Sequence, residues 1–386
     1  MSGLGGGHPD VLIVGGGVVG AACALALAEA GCRVSLLEAE GLGGGATAAA
    51  MGHLVALDGS PAELALCRLG QERWRVLAPQ LGPALELNGC GTLWLAADDR
   101  EFERVAPRCA AYRQAGIPAE LLDAQALRAA EPCLAPHLAG GMWVPGDAVL
   151  YPPAAARLLA EAARRAGATV ATGTAVAALE AGGVRLLDGT RLDCGQVVLA
   201  AGSASRALLP GLPLVRRKGH LAITGRHPGF LRHQLVELGY LTSAHGSDAD
   251  SVAFNLQPRP NGQLLLGSSR QFGDEQPELR PELLRRMLRR ALDYVPGLAA
   301  LEVLRAWTGF RPTTPDHRPL IGAVPGRPGL FLACGHEGLG ITTAPATAEL
   351  IVSAVLGRAA PLDPAPYLPA RFPALALDAF REVQHA

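Results

Sequence analysis

The chain has 386 residues, 49% of them hydrophobic and 18% charged, with a formal net charge of −1. This is the composition of a globular chain and excludes a disordered one. The near-neutral balance leaves no basic field to hold nucleic acid and none for strong binding to an anionic membrane.

In chain order, Val11–Val14 is a short apolar, β-branched run and predicts a buried strand. Residues 18–30 are rich in Ala and Leu and lack proline, which predicts a helix stopped at Gly31. A second strand is expected over 33–38, completing a β-α-β unit with parallel strands and a right-handed crossover. A helix is expected over 153–166, then strands over Thr169–Ala171, 183–187, 196–200 and 221–224. Asn261-Gly262 marks a hairpin turn ahead of a strand over 263–267. Pro281–Tyr294 predicts a helix, 329–333 a strand and 344–356 a helix, while the proline-rich stretch 361–373 predicts an extended segment on the surface.

This length exceeds what one core usually organises, so two domains are expected. Rossmann-like pieces recur at the start, middle and end, with β-rich pieces between them. The expected cofactor domain is therefore discontinuous, over 1–88, 146–216 and 305–386, with a second domain inserted as 89–145 and 217–304. The uncharged run from Val11 to Ala28 is long enough to suggest a membrane span. Gly15, Gly16, Gly17 and Gly20 interrupt it, and a buried strand-turn-helix accounts for it better. The opening MSGLGGGHPD has no basic region before an apolar stretch, so a cytoplasmic location is expected. The eight cysteines never fall at C-x-x-C spacing, so no metal is expected and the thiols read as reduced core residues.

Gly15-Gly16-Gly17-Val18-Val19-Gly20 is a G-x-G-x-x-G that follows a strand, opens a helix and has Glu38 at the end of the next strand. Gly15 permits the tight turn, Gly17 a close approach of backbone to a pyrophosphate, and Gly20 the packing of helix on strand. The N–H groups of Val18, Val19 and their neighbours face the phosphates with the positive end of the helix dipole. Glu38 is placed to accept from a ribose diol. The fingerprint leaves NAD and FAD open. Far downstream, Gln196-Val197-Val198-Leu199-Ala200-Ala201-Gly202-Ser203 is a strand ending in small residues. It resembles the second dinucleotide-contacting motif of flavoenzymes of the glutathione reductase type, with Ala201 and Gly202 beside the cofactor, and so favours FAD.

Two more segments complete an ordered set: residues 307–322, WTGFRPTTPDHRPLIG, and residues 335–345, GHEGLGITTAP. With the first motif they resemble the D-amino acid oxidase (DAO) family of FAD-dependent oxidoreductases, over about residues 10–357. The GHEGLGITTAPATAEL and GGATAAAMGHL stretches are similar to a narrower group, the catalytic β subunits of D-hydroxyproline dehydrogenase, opine oxidase and hydrogen cyanide synthase. The resemblance implies a mixed α/β (α+β) fold: a Rossmann-like FAD domain of glutathione reductase type with an inserted antiparallel-sheet substrate domain. It implies non-covalent FAD, since the context of Cys334 differs from that of the flavin-linking cysteine of sarcosine oxidase.

The resemblance also distributes roles. Arg311 matches the position that holds a substrate carboxylate, a task suited to a planar guanidinium. Gly338 stands where glycine oxidases carry a second arginine, which leaves room for a bulkier or cyclic substrate. Asn255 and Gln257 share one face of a strand, and Asn255 lies near the position of a substrate-contacting tyrosine; a solvated edge-strand face accounts for the pair equally well. His53 and Met51 lie with Ala46, Thr47 and Gly52 in a loop expected near the flavin ring. His336, Gly338, Leu339, Gly340, Ile341 and Thr342 form a turn expected to approach the flavin C2 carbonyl, and Val176 is expected against the cofactor. Lys218-Gly219-His220 resembles a family turn at a domain crossing.

The expected reaction is dehydrogenation of a small D- or secondary amino acid, D-hydroxyproline or D-proline first, then opines and glycine. Hydride passes from the α-carbon to flavin N5 and leaves an imine, with orientation and electrostatics supplied by the protein. The alternatives are an oxygen-using glycine, D-amino acid or opine oxidase, a hydroxy-acid dehydrogenase, and an FAD-loaded assembly subunit without turnover of its own. Electron-accepting partner subunits follow from the resemblance alone.

Overall fold

The structure, a computed structural model, describes residues 8–57, 59–239 and 250–373. The opening seven residues and the stretch 374–386, both assigned above to the cofactor domain, lie outside the described residues.

Four sheets carry the strands. The strands are β1 (Val11–Val14), β2 (Val34–Leu37), β3 (His53–Leu54), β4 (Thr92–Ala96), β5 (Glu120–Asp123), β6 (Gly140–Val144) and β7 (Ala148–Val149). They continue as β8 (Thr169–Ala171), β9 (Val176–Glu180), β10 (Gly183–Leu186), β11 (Arg191–Asp193), β12 (Gln196–Leu199) and β13 (Val215–Arg226). The last are β14 (Gln234–Glu237), β15 (Ser251–Pro258), β16 (Gln263–Arg270), β17 (Val303–Thr313), β18 (Leu320–Ala323) and β19 (Leu330–Cys334). The longer helices are α1 (Val18–Glu29), α2 (Pro61–Leu81), α3 (Pro152–Arg165), α4 (Pro281–Tyr294) and α5 (Gly340–Leu356).

A six-stranded sheet runs β18-β19-β12-β1-β2-β8 and an eight-stranded sheet β17-β13-β16-β15-β14-β4-β6-β5, with β9–β11 and β3–β7 as small sheets. In the first, β1 pairs in parallel with both β2 and β12, as a β-α-β unit requires. Strand β1 is buried on both faces, and so is most of α1. The helix packs against α3 and α5 over the sheet, in a core that includes Ala21, Cys23, Ala24 and Leu27. An apolar stretch covered from every side needs no charge, which explains the run from Val11 to Ala28. Among the described residues no helix is long and apolar enough to cross a membrane.

The structure revises several expected elements. Helix α2 was not foreseen, although its start is legible: Ser60 caps it by accepting from Glu63 N–H at 3.1 Å, and Glu63 reaches back to Gly59 N–H at 3.1 Å. Helix α5 begins at Gly340, before Pro345, and not at Ala344. Pro345 cannot donate to the Ile341 carbonyl, and the buried Trp74 Nε1–H donates to it instead, at 2.8 Å. The segment 361–373 is not extended throughout. It forms two tight turns, Ala365–Tyr367 and Pro369–Arg371, because Tyr367 is buried in the core and Arg371 pairs with Asp316. Lys218-Gly219-His220 lies inside β13 and is not a turn. Strand β17 pairs with β13 along its length, so 305–313 lie in the eight-stranded sheet.

Candidate active site

The C-terminal ends of β1 and β12, the loop after β2 and the start of α5 face strands β13, β15 and β17 across a cavity of about 960 Å³. This lies at the upper end of small-molecule sites and has room for a cofactor with a small substrate beside it. A second cavity of about 50 Å³ adjoins it, and His53, Asn255, Arg311, His336, Glu337 and Gly338 line both.

The phosphate end is built as the fingerprint requires. Gly15 has φ +112°, and a Cβ there would stand 2.6 Å from the Ala200 carbonyl oxygen, so only glycine fits. The first N–H groups of α1 have no partner within the helix; that of Val18 goes to Thr47 Oγ1 at 3.1 Å. Glu38 accepts from Gly16 N–H at 2.6 Å and Glu40 N–H at 3.0 Å, which fixes its carboxylate at the cavity wall. A glycine cradle, a helix N-terminus and a carboxylate about one strand away are the donor set that a dinucleotide needs, so the residues fit the expected cofactor.

Of the residues expected to hold it, Gly15, Gly17, Val18, Val19, Glu38, Ala46, Thr47, Met51, Ala201, Gly202, His336, Gly338, Gly340 and Ile341 line the large cavity. The structure places the others differently. Gly20 lies inside α1 against the Gly15 carbonyl. The Gly52 carbonyl accepts from Leu150 N–H at 2.9 Å, and Leu339 lines the small cavity. Val176 begins β9 in the three-stranded sheet, away from both cavities. Thr342 Oγ1 donates to the His53 carbonyl at 2.9 Å and accepts from Val55 N–H at 3.2 Å, which ties the strand carrying His53 to α5.

Arg311 projects from β17 over Gly219 of β13. A Cβ at Gly219 would stand 2.4 Å from its Nη1, so the missing side chain makes room for the guanidinium. Its Nη1 also donates to the Ser269 carbonyl at 3.2 Å, and the head reaches the wall shared by the two cavities. Burial, with the Arg311 charge beside it, pushes the His53 ring down to about 4, so the ring is neutral at physiological pH. Its Nε2 has no partner among the described residues. Asn255 is 2% exposed and Gln257 0%, and β15 lies between β16 and β14. That overturns the solvated edge-strand account of the pair. Asn255 lines both cavities; Gln257 lines neither.

His220 does not reach the site. Its Nδ1 bonds Ser269 Oγ at 2.8 Å and its Nε2 accepts from Arg280 N–H at 2.9 Å. Burial pushes the His336 ring down to about 4, and its Nε2 bonds Thr347 Oγ1 at 2.9 Å, which anchors the turn leading into α5. Burial pushes the Cys334 thiol up to about 12, so it is not a ready thiolate. Among the described residues no cluster of His, Cys, Asp and Glu could hold a metal ion.

Several lining residues drew no expected role from the sequence: Trp94, Gln234, Arg270, His317 and Glu337. Glu337 pairs with the buried Arg217, and its Oε2 bonds His317 Nδ1 at 2.9 Å. Burial alone would raise the Glu337 carboxyl, but the His317 hydrogen bond and the Arg217 charge outweigh it and hold it below its ordinary value. The same hydrogen bond raises His317. Both residues sit in left-handed backbone, at φ 49° and 58°, a conformation that costs non-glycine residues energy and concentrates at functional sites. The signal available in the sequence was the glycine-framed Gly335-His336-Glu337-Gly338 turn.

The family model described as DAO, FAD dependent oxidoreductase, matches residues 10–354. The chain is 30% identical to the glycine oxidase of Geobacillus kaustophilus, over 93% of this chain and 96% of that protein. It is 29% identical to the hydrogen cyanide synthase subunit HcnC of Pseudomonas aeruginosa, over 94% of this chain and 96% of that one. The crystal structure of glycine oxidase from Geobacillus kaustophilus superposes with a TM-score of 0.85 at 29% identity, covering 95% of this chain and all of that one.

Proposed function

This chain belongs to the FAD-dependent oxidoreductase (DAO) family, and on that premise we propose that it dehydrogenates a small D-configured or secondary amino acid, with D-hydroxyproline or D-proline favoured. One observation carries the reading: among the described residues, Arg311 is the arginine that lines both the cofactor-sized cavity and the small one. A bidentate carboxylate bond there turns the α-carbon of an amino acid into the large cavity and its side chain into the small one. FAD supplies a hydride acceptor when bound. The chain's own work is to fix the carboxylate at Arg311, to present the neutral His53 ring and the Asn255 amide beside the reacting carbon, and to exclude water behind β3 and α5. The inert state of the Cys334 thiol supports non-covalent FAD.

The experiment is an anaerobic visible spectrum before and after D-hydroxyproline, D-proline, L-proline, an opine and glycine. Bleaching of the flavin band by D-hydroxyproline or D-proline at lower concentration than by glycine is expected. No bleaching by any of them would overturn the reading in favour of an assembly subunit or a hydroxy-acid enzyme. The likeness to a glycine oxidase favours oxygen-using glycine oxidation as the second reading; glycine as the best substrate, with stoichiometric oxygen uptake, would establish it. Electron transfer to partner subunits is a further part of this proposal, supported by the likeness to a synthase subunit.

A further inference from the structure

The cavity beside Arg311 holds about 50 Å³, enough for a group of water size, which needs about 10–15 Å³ of such space. Val55, Leu57, Val236 and Leu339 give it apolar walls. Gln234 and Trp94 also line it, and they are 0% and 1% exposed. Each leaves one polar atom without a hydrogen-bond partner among the described residues: Oε1 of Gln234 and Nε1 of Trp94. The first can only accept and the second can only donate.

Neither feature is an accident of one side chain. Strand β14 pairs in parallel with β4, placing Gln234 beside Thr92 and Val236 beside Trp94, so Gln234 and Trp94 belong to one face of the sheet. Gln234 Nε2 donates to Thr92 Oγ1 at 2.9 Å. The Thr92 hydroxyl in turn serves the Asp147 carboxylate, so its proton is engaged and its oxygen is left for the amide. That chain holds the amide through Nε2 and leaves Oε1 unpaired among the described residues.

We propose that this cavity receives a hydroxyl carried on the substrate's side chain, with Gln234 Oε1 accepting from it and Trp94 Nε1 donating to it. The inference rests on the amino-acid reading above and narrows it to hydroxylated side chains. A hydroxyl is the smallest side-chain group that donates and accepts at once. An ammonium only donates and a carboxylate only accepts, so either would bury one protein group unpaired. A bare methylene or methyl would bury both unpaired, and sites built to hydrogen-bond a hydroxyl discriminate strongly against analogues that lack it. The competing occupant is a structural water held by the same two atoms.

The test is anaerobic flavin reduction by two matched pairs, 4-hydroxy-D-proline with D-proline and D-serine with D-alanine, in the wild type and in Gln234→Met, Trp94→Phe, Thr92→Val and Thr92→Ser. The expected wild-type result is a preference of at least about tenfold for the hydroxylated member in one pair or both. Gln234→Met and Trp94→Phe should each bring that ratio towards one, through loss on the hydroxylated substrate. Thr92→Val should act in the same direction by releasing the amide, and Thr92→Ser should restore the ratio. Because the readout is a ratio within each variant, a general loss of folded enzyme does not mimic it. Equal use of both members by the wild type, or a ratio untouched in Gln234→Met and Trp94→Phe, would overturn the hydroxyl subsite and leave a water pocket. Flavin reduced by none of the four compounds but by glycine, L-proline or an opine would overturn this inference and leave the amino-acid reading; flavin reduced by none of all seven would overturn both.

Discussion

Arg311 is held by its neighbours before any substrate arrives: Gly219 makes room under the guanidinium and the Ser269 carbonyl takes one of its N–H groups. A lysine there would keep the charge and lose the planar fork. Arg311→Lys is therefore expected to lower kcat/KM for the preferred amino acid by about 10- to 100-fold, mostly through KM, with the flavin-to-protein ratio unchanged. A similar drop in bound flavin would mean that the arginine shapes the cofactor site instead. The His317–Glu337 pair gives a pH signature. His317 is raised in the folded state, so its contribution is present below its ordinary value near 6.5 and is lost as pH rises through the folded value. Glu337 is lowered, so its contribution is present above its ordinary value near 4.5 and is lost as pH falls through the folded one. Glu337→Gln should flatten the Tm–pH profile at both ends, and a profile parallel to that of the wild type would show the pair to be energetically idle. Of these residues only Arg311 drew an expected role at the sequence level, through the resemblance carried by its contiguous Gly-Phe-Arg-Pro setting. Glu337 and His317 lie 20 positions apart, and the partner that makes each of them interesting is supplied by a backbone conformation that residue types do not announce.

Helix α5 shows how an element is finished by another. Pro345 removes one link of its ladder, and Trp74 of α2 supplies the missing donor to Ile341, which lines the large cavity. Trp74→Phe keeps the bulk and leaves that carbonyl unpaired, so the expected cost is about 1–3 kcal/mol of stability. Denaturant titration would read it, together with weaker retention of FAD because the first turn of α5 loosens. Unchanged stability would mean that water replaces the indole. The β-α-β unit was legible because all its signals are local: a strand, a glycine turn, an uncharged helix and a carboxylate. Helix α2 was equally local, with Ser60 and Glu63 boxing its start, yet its mixture of Arg, Glu and Trp obscured the apolar stripe that Leu66, Leu69 and Trp74 bury. Strand β13 was recognised only in its second half, since Lys218-Gly219-His220 resembles a turn. The structure buries both, Lys218 against Asp274 at 3.1 Å and His220 between Ser269 and Arg280.

For the whole molecule, the large cavity spans the ends of one sheet and the face of another, so FAD held there would bridge two structural layers. Ligand that binds only the folded state stabilises it by mass action, about 2.7 kcal/mol at a free concentration a hundred times Kd. Flavin-depleted protein should therefore melt at lower temperature and recover on adding FAD in a concentration-dependent way; a Tm indifferent to FAD would contradict a cofactor lodged between the sheets. The sequence by itself determined the family and the cofactor class, and it announced the glycine cradle, because a tight turn with positive φ, a helix start and a strand-end carboxylate are constraints met within about thirty consecutive residues. Only the tertiary structure decided what lines the small cavity beside Arg311. Gln234 meets Thr92 across 142 positions, Trp94 joins them through strand pairing, and Arg311 faces them from the far edge strand. Ordinary residues become a candidate site there because burial beside a shared cavity leaves Gln234 Oε1 and Trp94 Nε1 without partners among the described residues, and burial depends on the whole fold.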